Sequence, residues 1–165
     1  GAESPLLPEG HDYDPAITTP AEYLGYPVGE RHMTHHELVG YLRLLGEQSD
    51  RVRIIPYGTT HLHRPLMQLL ISSPENLRQS EDLRQQQLSL TEPAKSSRLD
   101  LEGMPVVVNI NYGVHGNEPS ASNTAPLMAY HLAAARDAET RAYLENLVIL
   151  LDPCLNPDGF DRFAH

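Results

Sequence analysis

The chain has 165 residues, 40% of them apolar, and 12 basic against 22 acidic side chains give it a formal charge of -10. That length and apolar content suit one globular domain with a real core and exclude a disordered chain or a coiled coil. The acidity, with no Lys/Arg cluster able to track phosphates, argues against a nucleic-acid partner, and no apolar run approaches the roughly 20 residues that span a bilayer.

A single cysteine, Cys154, rules out an intrachain disulfide framework and leaves the compartment open. The start Gly1-Ala-Glu-Ser-Pro5 has no signal-peptide character. A leading glycine is compatible with a signal removed upstream, and an exported setting is slightly favoured.

Residues 1–30 carry Pro5, Pro8, Pro15, Pro20 and Pro27 without clear periodicity and read as an extended arm laid over a domain of residues 31–165. Thr34 and Glu37 form a capping box that opens a helix to about Ser49, with Leu38, Tyr41, Leu42 and Leu45 as its buried stripe. His35 and His36 are expected to be solvated first-turn residues. Arg51–Tyr57 and Leu66–Ser72 read as the strands of a hairpin. In its connection, His61 and His63 have no third donor nearby and read as an exposed loop pair. A polar surface helix is expected over residues 74–87, then a loop over 91–103.

Met104–Tyr112 is a continuous apolar run of the kind buried on both faces of a sheet. It leads into Gly113-Val-His115-Gly-Asn-Glu118-Pro119, where an imidazole and a carboxylate stand three residues apart across a Gly-containing turn. Such a pair can chelate zinc, or can merely face water and cap the next helix; spacing alone leaves both readings open. A helix is expected from Pro119 to Ala135, with Leu127, Met128 and Leu132 toward the core and Pro126 kinking or interrupting it. A short helix over Thr140–Glu145 precedes a second buried strand, Asn146–Leu151, and the polar stretch Asn156–Arg162. Strand, helix and strand make a right-handed βαβ unit, so both polar stretches emerge at one sheet edge. Ligand sites of open α/β sheets lie beyond such strand ends, which favours the metal reading. The fold class expected is α/β, a mixed and partly parallel sheet flanked by helices.

Three stretches then resemble the N-terminal part of an M14 (carboxypeptidase A-like) zinc carboxypeptidase: Gly58 to Leu66 with its Arg64-Pro65-Leu66 ending, His115-Gly-Asn-Glu118, and Asn156-Pro-Asp-Gly159. His63 stands where the family usually has glycine. The resemblance implies a peptide substrate cut at its C-terminal bond and one zinc ion, with His115 and Glu118 as two of its three ligands. It also implies a third ligand and a general base further downstream than this chain reaches. The only later histidines, His131 and His165, do not correspond to that ligand. Arg162 is the candidate for the family's oxyanion-stabilising arginine, or else it is a surface partner of Asp161. The chain is therefore expected to be truncated, inactive alone, and prone to self-association through uncovered surfaces. Two alternatives remain open, an acyl-amino-acid deacylase resembling aspartoacylase or succinylglutamate desuccinylase, and a non-catalytic binding module. Asn156 and Asp158 are expected to shape their turn and Cys154 to be a small buried residue; the residue preference for substrate is not legible.

Overall fold

In the computed structural model, which describes residues 4–164, β-branched and leucine-rich runs build the hairpin of β1 (Val52–Thr59) and β2 (Pro65–Ile71). Val52 pairs with Ile71 and Thr59 with Pro65, and the register shifts between Pro56 and Gly58. Pro56 has no N–H for a ladder and is tolerated because β1 is an edge strand. In the connecting turn the Thr60 N–H donates to the Arg64 carbonyl at 2.9 Å and the His63 N–H to the Thr60 carbonyl at 3.0 Å. This geometry forces His63 to φ +61°, making it the one non-glycine at positive φ among the described residues. The left-handed region crowds a Cβ against the backbone and leaves glycine unpenalised. His63→Gly is therefore expected to stabilise the chain by about 1 kcal/mol, seen as a higher urea midpoint; an unchanged or lower midpoint contradicts it.

The sheet order is β1-β2-β4-β3. β3 (Val106–Asn111) and β4 (Leu147–Asp152) are parallel, from Val106 opposite Leu147 to Asn111 opposite Asp152, and β2 meets β4 antiparallel. This is the mixed, partly parallel sheet that the sequence implies. β4 is buried between two neighbours. β3 departs from expectation: no further strand pairs with its outer side among the described residues, so Val106 and Val107 are 61% and 38% exposed.

The crossover from β3 to β4 runs through α6 (Ser120–Ala134) and α7 (Ala138–Asn146). Pro119 is the N-cap of α6 and not its first helical residue, so the helix starts one residue later than expected, and it continues past Pro126. Leu127 and Leu132 are buried, but Met128 lies at the surface; its neighbours Ala125, Ala129 and Ala133 take the core positions with small side chains. α2 (His35–Gln48) has the reciprocal Thr34–Glu37 cap and buries Leu38, Tyr41, Leu42 and Leu45. Together with alternate residues of β2 and β4, including Leu69, Ile71, Ile149 and Leu151, α2 and α6 form the main core.

The opposite sheet face is thinner. The polar helix expected over residues 74–87 is divided at Gln79 into α3 (Pro74–Arg78) and α4 (Ser80–Ser89). Leu77 buries with Leu70 and Val148 there, while α4 has no buried residue. α5 (Pro93–Ser96) is a single turn inside the connection that reads as loop. On the other side, residues before α2 include α1 (Pro20–Leu24), with its own Thr19–Glu22 capping box. Leu7, Tyr13, Ile17 and Val28 sink into the main core. The Asp14 N–H donates to the Ala134 carbonyl and the Arg136 N–H to the Asp12 carbonyl, both at 2.8 Å. The last element is α8 (Pro157–Ala164), a helix where the sequence reads as a polar turn.

Candidate metal centre at the C-terminal edge of the sheet

β3 ends at Asn111 and the chain turns at Gly113, whose φ of +66° admits few other residues. A Cβ here would collide with the Ser122 hydroxyl and stand 3.2 Å from the Cys154 sulfur. Three backbone bonds join this turn to the end of β4 and the segment after it. The Tyr112 N–H donates to the Asp152 carbonyl, and the Leu155 and Asn156 N–H groups donate to the carbonyls of Tyr112 and Gly113, each at 2.9 Å. The two polar stretches thus lie side by side, as the parallel pairing of β3 and β4 requires.

His115 and Glu118 stand on this turn, closed by the Glu118 N–H donating to the His115 carbonyl at 3.1 Å, and both residues are exposed. One imidazole nitrogen and one carboxylate are donors that zinc accepts, on a short segment and open to incoming ligands. Their donor chemistry suits two positions of a zinc site. Among the described residues no group of three His, Cys, Asp or Glu is placed to hold a metal ion.

The adjoining segment is a shelf for this turn. Asn156 caps α8, its side-chain oxygen accepting the Gly159 N–H at 2.9 Å while its amide reaches the Val114 carbonyl at 3.3 Å. Gly159 lies directly against Gly116, so that a Cβ on Gly116 would overlap the Gly159 carbonyl. Asn156 therefore shapes its surroundings through side-chain to backbone bonds, here as a helix cap. Cys154 is buried, and burial pushes its thiol pKa up, away from reactivity.

The sequence reading misses an ionic clamp beside this shelf. Arg64 donates from Nε to Asp161 Oδ2 at 2.7 Å and from Nη1 to Asp158 Oδ1 at 2.9 Å. Asp158 also accepts the Thr60 hydroxyl at 2.7 Å and the Leu62 N–H at 3.2 Å. Burial would raise the Asp158 carboxyl, but the bonds from Thr60, Arg64 and Leu62 outweigh it and hold the pKa below the usual range. Asp161 in turn accepts the His35 N–H at 2.8 Å. This packing of α2 on α8 corrects the solvated reading of His35: the residue is 5% exposed, and burial lowers its pKa. His36, turned about 100° around the helix, is exposed as expected. A tether was foreshadowed only by Arg64 and Asp158 each recurring in a family-like stretch.

Arg162 is exposed in the last turn of α8. It lines an open groove of about 580 Å³ with His61, Arg64, Asp158 and Asp161; neither His115 nor Glu118 lines that groove. The Asp161 carboxylate is engaged by Arg64. His61 and His63 are exposed in the hairpin turn. His131 lies away from the turn, its Nδ1 2.9 Å from the Tyr13 hydroxyl, with its pKa lowered by burial.

The family described as zinc carboxypeptidase matches residues 38–165. Among solved structures, carboxypeptidase A from Helicoverpa armigera is similar with 19% identity and a TM-score of 0.59, over 92% of this chain and 31% of that one. Thrombin-activatable fibrinolysis inhibitor is similar with 16% identity and a TM-score of 0.56, over 90% and 30%. The bovine inhibitor, in complex with tick carboxypeptidase inhibitor, gives 16% and 0.51, over 80% and 33%. These likenesses concern the fold, and this chain spans about a third of the length of each structure. With the family match covering the hairpin, the His-x-x-Glu turn and the capped helix together, the chain belongs to the zinc carboxypeptidase family.

Proposed function

We propose that this chain is the N-terminal part of a longer zinc-dependent carboxypeptidase that hydrolyses the C-terminal peptide bond of a peptide. His115 and Glu118 would supply two of three zinc ligands in it. The observation that supports this reading best is the exposed imidazole and carboxylate on one turn beyond β3, beside the start of α8, in a chain of the zinc carboxypeptidase family. When bound there, zinc would polarise the scissile carbonyl and lower the pKa of a water. This chain's own part is to hold the two donors on a turn fixed by Gly113, Asn156 and Gly159. For Arg162, which lines a groove that neither donor lines, the proposed oxyanion-stabilising role rests on the resemblance alone. With two protein donors, the 165-residue chain is proposed to bind zinc weakly or not at all and to lack activity. The family match favours this reading over a deacylase.

The uncovered β3 edge, with Val106 and Val107 exposed, favours self-association of the isolated chain. The test of function compares the longer protein with the 165-residue chain on peptides with free and amidated C-termini. The longer protein should release the terminal residue from free-ended peptides alone, and the short chain should release nothing. Hydrolysis by the short chain, or action of the longer protein only on acylated amino acids, would overturn the proposal.

A further inference from the structure

We infer that Asp158 is a positioning residue for the His115–Glu118 turn, acting through the Arg64 clamp and the first turn of α8. Both carboxylate oxygens are engaged: one takes Thr60 and Arg64, the other takes the Leu62 N–H. It therefore ties the hairpin connection, nearly one hundred residues away in sequence, to the start of α8. That start is also the surface on which the metal-type turn rests. Gly159 follows Asp158 directly and its backbone touches Gly116, between the two donors. Asn156 holds the Gly113 and Val114 carbonyls from the same helix start.

The coupling has a direction. The α8 start is held toward the hairpin by Arg64, which bridges Asp158 and Asp161, and toward the core by Phe160, while it meets Gly116 through the backbone of Gly159. Releasing the ionic flank loosens the helix start against Gly116, and the turn is then left to its backbone bonds and to Asn156, which belongs to the same loosened helix start. The Arg64-Pro-Leu, His-x-x-Glu and Asn-Pro-Asp-Gly stretches thus form one continuous interlock, with Asp158 at its centre. The inference uses the zinc reading of His115 and Glu118 only for its consequence, since the clamp is defined without metal.

Amide hydrogen exchange of the 165-residue chain, followed by NMR without metal, tests it. The Glu118 and Asn156 N–H groups, bonded to the His115 and Gly113 carbonyls, report the turn, and Leu151 in β4 reports the sheet. In Asp158→Ala, exchange at Glu118 and Asn156 should rise about tenfold or more, as loss of a charge-assisted hydrogen bond implies, with Leu151 unchanged. Asp158→Asn, which keeps an acceptor for Thr60, should fall between, and Arg64→Lys should recover part of what Arg64→Ala loses. Arg53→Ala removes the other hairpin arginine, bonded to Ser80 and the Leu77 carbonyl, and should leave Glu118 at its wild-type rate. Unchanged exchange at Glu118 and Asn156 in Asp158→Ala and Asp158→Asn, or equal acceleration at Leu151, overturns the inference. Because no metal is present, that failure is separate from failure of the zinc reading.

Discussion

Gly116→Ala is expected to destabilise the chain by about 3 kcal/mol and to displace the His115–Glu118 turn, the upper part of the range for overpacking. Ordinary overpacking is relieved when a side chain changes rotamer. Here the added methyl meets the carbonyl and Cα of Gly159, backbone atoms in the first turn of α8. That backbone cannot retreat freely, because Asn156 caps it and Arg64 holds Asp158 and Asp161. The strain must therefore fall on the turn, moving the two donors apart from the shelf that supports them. The urea midpoint should drop, and the amide shifts of Val114 to Glu118 should move more than those of β2. Gly58→Ala serves as comparison, since nothing lies within 4 Å of a Cβ there. A Gly116→Ala variant with the wild-type midpoint and unmoved turn resonances would contradict the close approach.

The second large effect belongs to Phe160→Ala, expected to cost about 3–5 kcal/mol as for other buried phenylalanines. Phe160 is 1% exposed and belongs to the main core. Its ring centroid is 4.3 Å from that of His32, and its N–H donates to the Asn156 carbonyl at 2.9 Å. It is the apolar anchor of α8, complementary to the ionic anchor at Asp158. Domains are stable by only about 5–15 kcal/mol, so this loss removes a large share. Phe163, 56% exposed on the same helix, should cost far less on truncation. Chemical denaturation of the two alanine variants decides it, and equal midpoints would contradict the assigned core.

Much of the fold was legible in the residues. The Thr34–Glu37 cap, the hairpin, the βαβ crossover and the meeting of Gly113–Glu118 with Asn156–Arg162 follow from local chemistry and connection rules. What was not legible depends on neighbours. β3 has the composition of an interior strand and occupies an edge, because composition records the burial a strand suits and cannot say whether the next strand is present. His35 is buried by α8, a contact across more than one hundred residues that helical periodicity does not register. Asn156-Pro-Asp-Gly159 has turn chemistry, yet capping chemistry is the same, and the helix that follows decides between them. His63 is the reverse case: a side chain where the family usually has glycine, sitting at positive φ.

For the site, the two donors and their shared turn were visible as a motif, whereas the Arg64 clamp joins residues too distant for spacing to reveal. The central claim is that His115 and Glu118 hold zinc in the longer protein. Its most direct test is the zinc content of that protein, purified without added metal, as wild type and as His115→Ala and Glu118→Ala variants. The account predicts a stoichiometric zinc ion in the wild type that is largely lost from both variants while they remain folded; zinc retained in full by folded variants would contradict it.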